Sequence, residues 1–141
     1  MEIKFSKSIM ENILSIAINF TEKDNSQITS HILIEANEEL IIRATDGEFG
    51  VEFIDNTTEI ITKGKTTLNS KKFYEIIKAL NDDFITLKSD EKNALITQNH
   101  SNYRLPTFES NEYPHFPNIQ EFKQIDLNSL EFIEGLKKYL M

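Results

Sequence analysis

The sequence predicts an α+β domain of two β-α-β-β-β units, with two helices side by side on one face and antiparallel sheets on the other. Two observations support this fold class. An amphipathic helical pattern occurs twice, over residues 9–20 and 70–80, and each copy follows a short β-prone run and precedes three more. The order of elements therefore repeats after roughly 60 to 65 residues, although identity between the two halves is low.

The first unit opens with a short strand over residues 2–5 and a helix over residues 9–20. The apolar side chains of this helix form one broad stripe, opposite a polar stripe that includes Asn12 and Ser15. Ser6 or Ser8 is expected to cap the helix, and Ser8 with Glu11 has the spacing of a capping box.

Three β-prone runs complete the first unit, at residues 29–35, 40–44 and 48–54. The segments between them are short and polar, which is typical of hairpin turns. Glu59–Thr62 is expected to extend the sheet as an edge strand or to begin a new one.

The second unit begins with a strand over residues 65–68, which turns at Asn69 and Ser70 into a helix. Apolar residues recur in this helix at the spacing of a face that lies on a sheet. Three lysines and Glu75 occupy the opposite side. Strands are then predicted at residues 84–88, 94–97 and 103–107. The apolar residues are Phe73, Ile76, Ile77 and Leu80, and the lysines are Lys71, Lys72 and Lys78.

Residues 109–141 are predicted to form a linker and the opening of a further unit. Residues 109–120 contain Pro114 and Pro117 and are expected to form an extended linker. A strand at residues 122–127 and a helix capped by Asn128 with Glu131 would then open a third β-α unit. We therefore expect one domain over residues 1–120, and over residues 121–141 the linker end and the first strand and helix of a truncated second domain.

The composition excludes several classes of protein. The 141 residues carry a net charge of −8 and no cysteine, with a sequence pI of about 4.9. An acidic chain is not expected to coat nucleic acid with its whole surface, but a local basic patch remains compatible. The absence of thiols fits a reducing cytoplasm, and no apolar stretch is long enough to span a bilayer, so no membrane partner is expected.

No catalytic residue, metal site or cofactor is predicted. His31, His100 and His115 lack metal-ligand spacing and are expected to be ordinary surface or partly buried histidines. Carboxylates such as Asp46 and Asp90 lie in predicted turns, where backbone geometry favours Asp. These turn acids leave open an alternative function as a small hydrolase or metal-dependent enzyme. The region from Pro114 to Pro117, or an exposed sheet edge, leaves open a protein-interaction module.

Several stretches, in this order and spacing, resemble the N-terminal domain of the bacterial DNA polymerase III beta subunit, the sliding clamp. The resemblance covers residues 1–120, and residues 121–141 resemble the start of that family's second domain. The matching stretches are 28–34 (ITSHILI), Ala44-Thr45-Asp46 followed by Glu48, 64–68 (GKTTL), Lys71-Lys72-Phe73, Tyr103-Arg104-Leu105 and 112–117 (EYPHFP).

The resemblance implies the DNA clamp fold and a function without catalysis. In this family three such domains make one chain, and two chains close head to tail into a homodimer ring around double-stranded DNA. The ring is a processivity factor in a nucleotidyltransferase complex: it tethers the catalytic subunit of DNA polymerase III without reading sequence. The polymerase and the clamp loader dock on later domains, which lie beyond this chain.

The resemblance also implies two sets of site residues. Lys71, Lys72 and Lys78 correspond to basic helix positions of the family, and Lys23 lies in a loop where the family carries a cation. The alternative is a solvated helix face with pairing through Glu75. The first helix is nearly without positive charge, unlike the family pattern.

The second set forms a subunit interface. Tyr103, Leu105 and Phe108 match positions where the first domain meets the third domain of the partner chain. The alternative is that they are ordinary inward-facing strand residues.

Overall fold

The computed structural model describes residues 1–114 and 122–126. Within this part of the chain, every strand and helix predicted between residues 1 and 107 is present, with small shifts at the ends. The helix predicted after Asn128 lies outside the described residues. The helices are α1 (Lys7–Ala17) and α2 (Ser70–Ala79), and the strands are β1 (Glu2–Ser6), β2 (His31–Ala36), β3 (Leu40–Thr45), β4 (Gly50–Asp55), β5 (Glu59–Thr62), β6 (Gly64–Asn69), β7 (Phe84–Ser89), β8 (Asn93–Gln98), β9 (Ser101–Pro106) and β10 (Phe122–Asp126).

The strands form two five-stranded sheets. Sheet I has the order β5-β1-β7-β8-β9, and sheet II has the order β10-β4-β3-β2-β6. The first strand of each unit has therefore crossed into the sheet of the other unit: β1 pairs with β7, and β6 pairs with β2, both antiparallel. Neither unit completes its own sheet, so the two units fold as one body.

One hydrophobic core lies between the sheets and the helices. Side chains alternate along each strand, so that Ile3 and Phe5 of β1 point into the core while Lys4 is exposed. The rings of Phe5 and Phe73 meet edge to face, with centroids 6.3 Å apart. Both helices bury their apolar stripes here, where each buried large side chain contributes about 1.5–3 kcal/mol. The helices therefore cover one face of the sheets, which confirms the predicted fold class.

The predicted capping box at the start of α1 is wrong. The helix begins at Lys7 with Ser6 as its N-cap residue, and the Ser6 side chain makes no capping hydrogen bond. Ser6 is still paired with Phe84 as the last residue of β1, and the Lys7 N–H donates to the Asp83 carbonyl. The chain must therefore turn into the helix directly at the strand end, so that the N-cap is two residues before Ser8.

The start of α2 is capped by Asn69, at the position where the sequence predicted the turn from strand to helix. Its Oδ1 accepts a hydrogen bond from the Lys72 N–H at 3.0 Å, and its Nδ2 donates to Asn25 Oδ1 at 2.8 Å. The same side chain therefore ends β6, begins α2 and attaches the loop that follows α1.

This difference between the two caps can be tested. Asn69→Ala is expected to lower the free energy of unfolding by about 1–2 kcal/mol, because a capping acceptor and a buried amide contact are lost. Ser6→Ala is the matched control and is expected to cost under about 0.5 kcal/mol, since its side chain caps nothing. Urea denaturation of both variants measures the difference, and equal losses would contradict the capping role of Asn69.

Candidate nucleic-acid and subunit interfaces

The two helices lie side by side and run antiparallel. At one end, the Lys7 ammonium at the start of α1 donates to the Leu80 carbonyl at 2.6 Å and to the Lys78 carbonyl at 3.3 Å, at the end of α2. At the other end, the Thr21 hydroxyl, which follows α1, lies 2.7 Å from the Ser70 hydroxyl at the start of α2. Contacts at both ends therefore define the direction and the spacing of the helix pair.

Three of the four predicted DNA-binding lysines gather at one end of this pair. Lys71 and Lys72 are exposed in the first turn of α2, and Lys23 is exposed in the loop after α1. The hydrogen bond between Asn25 and Asn69 attaches that loop to the start of α2.

Lys78 lies apart from the other three. It is also exposed, about 9 Å farther along the axis of α2 at the usual helical rise. Its ammonium stands 4.5 Å from the centre of the Tyr74 ring. The four cations therefore share the exposed side of α2 and its neighbouring loop, but they do not form one cluster.

The helix pair carries its positive charge unevenly. Lysines outnumber Glu75 three to one in α2, whereas Lys7 is the single cation of α1 and is balanced by Glu11. The ammonium of Lys7 is held by two carbonyls at the end of α2, where a cation also complements the helix dipole. Sequence patterns do not reveal this role, because the two groups are more than 70 positions apart.

The predicted subunit-interface residues occupy two places. Tyr103 and Leu105 share one face of β9, which is the edge strand of sheet I. Tyr103 is 37% exposed and Leu105 only 8%. Phe108 follows β9 and has crossed to sheet II, where its ring centroid lies 4.5 Å from that of His31. Tyr103 and Leu105 therefore lie together on β9, and Leu105 also borders the cavity beside His31 that Phe108 lines.

The segment after β9 is attached to the face of sheet II opposite the helices. The Phe108 N–H donates to Thr67 Oγ1 at 2.9 Å. The Tyr113 hydroxyl donates to the carbonyls of His31 and Arg43, at 3.3 and 3.2 Å, and burial raises the pKa of this hydroxyl. Residues 107–113 are therefore part of the folded domain, so the extended linker predicted over residues 109–120 is wrong for residues 109–113. Of the region from Pro114 to Pro117, only Pro114 lies within the described residues.

His31 is more buried than the sequence suggested, with 5% of its surface exposed. Its Nδ1 lies 3.1 Å from Thr67 Oγ1, and its ring borders a small cavity of about 130 Å³ that also touches Asn69, Lys72 and Leu105. Burial lowers the His31 pKa to about 4; the hydrogen bond to Thr67 opposes this shift, and the nearby Lys72 charge adds to it. His31 is therefore neutral near pH 7.

The carboxylates in the acidic turns accept hydrogen bonds from backbone N–H groups of the same turns. Asp46 Oδ1 accepts the N–H groups of Glu48 and Phe49, both at 2.9 Å. Asp90 accepts the N–H groups that follow it in the same way, and these bonds lower its pKa, the opposite of what a general acid needs. Within residues 1–114 and 122–126, no three His, Cys, Asp or Glu side chains are grouped to hold a metal ion. The hydrolase alternative gains no support from this geometry.

No helix in the described ranges is both long and apolar enough to cross a membrane.

Comparison with known proteins identifies the family. The model of the DNA polymerase III beta subunit, N-terminal domain, matches residues 1–117. The chain belongs to this family. Beta sliding clamps from two strains of Helicobacter pylori are 35% and 36% identical to it over 140 residues. These alignments cover 98% of this chain but only 37% of each relative, so the chain spans little more than a third of their length.

Solved structures of the beta clamp family share the fold. The Helicobacter pylori beta clamp bound to a DNA ligase peptide superposes with a TM-score of 0.77 at 36% identity, over 84% of this chain and 34% of that one. The DNA polymerase III subunit beta from Pseudomonas aeruginosa reaches a TM-score of 0.78 at 20% identity, over 84% of this chain and 33% of that one. The DNA clamp fold is therefore retained at low identity.

The buried His31 predicts a pH dependence of stability. Because its pKa is near 6.5 when unfolded and about 4 when folded, the unfolded chain binds the extra proton first. The stabilisation is complete above about pH 6.5 and declines as pH falls towards 4. Allowing for partial solvation of the ring, we expect a loss of about 1–2 kcal/mol between pH 7 and pH 5.

His31→Gln should remove this part of the pH dependence, while His100→Gln, in an exposed turn, should retain it. Urea unfolding at pH 7, 6 and 5 measures both variants. A wild-type slope that survives in His31→Gln would assign the effect to other groups.

Proposed function

We propose that this chain is the N-terminal portion of a sliding clamp, a non-catalytic processivity factor that encircles duplex DNA and tethers the replicative polymerase. Residues 1–120 would form the first clamp domain, and residues 121–141 would open the second. The observation that carries this proposal is the antiparallel helix pair on one face of two sheets, with exposed lysines on α2, in a chain of the beta subunit family.

The charge distribution suits a ring that slides. Such a ring must attract phosphates without reading bases and without stopping at one register. Lysine provides a flexible, hydrated point charge and no bidentate grip. Lys71, Lys72 and Lys78 on α2, with Lys23 beside them, would supply this attraction, while the neutral α1 would add little. Encirclement, and not affinity, would then keep the protein on DNA.

Ring closure would use the edge of sheet I. We propose that Tyr103, Leu105 and Phe108 contact the third domain of a second chain, so that two chains join head to tail. The partial exposure of Tyr103 on an edge strand supports this contact. Phe108, which packs on His31, would take part from the adjacent surface of sheet II.

The remaining partners would bind elsewhere on the full-length protein. We propose that the polymerase III catalytic subunit and the clamp loader dock on later domains, and that the ring works in the bacterial cytoplasm. The Helicobacter pylori beta clamp is a relative whose structure holds a DNA ligase peptide, which supports docking of enzyme peptides on such clamps. This chain spans only a third of that structure, which fits a docking site outside it.

The DNA contacts can be tested in the full-length ring. Association with a short fluorescent duplex is measured by anisotropy between about 50 and 200 mM salt, and the logarithm of the affinity is plotted against that of the salt concentration. Lys71→Gln is expected to reduce the slope by about 0.9, the value for one lost phosphate contact. The same change at Lys23, Lys72 or Lys78 should act similarly.

Lys7→Gln is the matched control, because it removes the same charge from the same helix pair. Its ammonium is bonded to carbonyls of α2, so it should lower thermal stability and leave the salt slope unchanged. If Lys71→Gln and Lys7→Gln reduce the slope equally, α2 does not contact DNA through Lys71.

A further inference from the structure

The loop that follows α1 carries charges of both signs. In residues 21–27, Lys23 is the single cation and lies between two carboxylates, Glu22 and Asp24, so the loop as a whole is negative. If the loop turned freely, its averaged charge would repel DNA. Lys23 can attract a phosphate only when the loop is held with its ammonium towards that phosphate. The orientation of the loop therefore decides the sign of its electrostatic contribution.

Hydrogen bonds within the loop give it a defined shape. Asp24 Oδ1 accepts hydrogen bonds from the Ser26 N–H at 3.0 Å and from the Ser26 hydroxyl at 2.8 Å, and these bonds lower the pKa of Asp24. The Glu22 N–H donates to the Thr29 carbonyl at 2.9 Å and closes the base of the loop. The Asp24 carboxylate is therefore ionised near pH 7 and bonded inside the loop.

One side chain of this loop attaches it to the start of α2. Asn25 Oδ1 accepts a hydrogen bond from Asn69 Nδ2 at 2.8 Å, and the same Nδ2 lies 3.5 Å from Ser30 Oγ. Asn69 is only 6% exposed, so water competes poorly for this bond. Among the described residues, no other side chain between positions 22 and 27 bonds to β6 or α2. The Asn25 carboxamide is thus the contact that fixes the loop against the lysines of α2.

We propose that Asn25 is a positioning residue for DNA binding, which holds the loop so that Lys23 lies on the same surface as Lys71 and Lys72. The inference rests on the proposed function and specifies how one of its cations is presented. Without the bond to Asn69, the loop would sample many orientations, and the ordering of Lys23 would have to occur during binding. Its two carboxylates would then offset the attraction of its single ammonium.

A purely structural role for Asn25 predicts a different pattern. If the contact only stabilised the fold, its loss would affect every lysine of the surface alike. A positioning role affects Lys23 and leaves Lys78 unchanged, because Lys78 lies at the far end of α2 and its ammonium stands over the Tyr74 ring. Lys78 is therefore the internal reference for the test.

The test is a double-mutant cycle in the full-length ring. Association with a short fluorescent duplex is measured by anisotropy between about 50 and 200 mM salt, as for the single lysine variants. Lys23→Gln should reduce the salt slope by about 0.9 in the wild type but by less than about 0.3 in Asn25→Ala. Lys78→Gln should reduce the slope by about 0.9 in both backgrounds.

Gln27→Ala provides the matched control background. It removes an amide side chain from the same loop, and this side chain makes no hydrogen bond within the part of the chain that the structure describes. Lys23→Gln should therefore keep its full effect on the salt slope in Gln27→Ala. A loss of that effect there would show that any truncation of the loop disturbs Lys23, and it would contradict a specific role for Asn25.

The outcomes separate this proposal from the function on which it rests. If Lys23→Gln reduces the slope equally in the wild type and in Asn25→Ala, Asn25 does not position Lys23, while the DNA contact of Lys23 stands. If Lys23→Gln and Lys78→Gln both lose their effects in Asn25→Ala, the role of Asn25 is structural and the proposal fails. If neither lysine variant changes the slope in the wild type, the proposed DNA surface itself fails.

Discussion

Backbone pairing between the two halves of the chain is the constraint on which the rest of the molecule depends. β1 is held by β7, and β6 by β2, so each helix starts from a strand that belongs to the opposite sheet. The two helices are consequently brought together over one core, where Phe5 meets Phe73. If the units were separate, each sheet would lack the strand that the other unit contributes, and the apolar face of each helix would lose part of the core that buries it.

The helix pair shows how similar residue types serve different ends. Lys7 and Lys71 both lie in the first turn of a helix, yet the Lys7 ammonium bonds carbonyls at the end of the other helix while Lys71 is exposed to solvent. A cation at a helix C-terminus satisfies carbonyls that the helix itself cannot bond. A cation near the exposed start of α2 has no such acceptor and remains available to an anion. The positive charge available at the surface therefore depends on which lysines already form hydrogen bonds within the protein.

The edge strand β9 has features that restrict its pairing with other strands. An unprotected edge invites pairing with any strand, and natural proteins restrict it with proline, charge or short length. β9 is short, carries Arg104 on its outer side and ends at Pro106. Directly after it, Phe108 and Tyr113 attach the chain to sheet II, which ties the free edge of one sheet to the back of the other. The position of β9 therefore depends on how residues 107–113 are attached to sheet II.

The sequence by itself determined the elements, because helical and strand periodicity are local properties that each segment carries alone. It predicted both helices, the β-α-β-β-β order and the turn into α2 at Asn69 and Ser70, and its motifs led to the family. The exchange of first strands, the burial of His31 and the engagement of Lys7 were decided only by the tertiary structure. Each joins residues at least 28 positions apart, and no local pattern records such a contact. The capping box at Ser8 failed for the same reason, since pairing of Ser6 with Phe84 fixes where the strand must end.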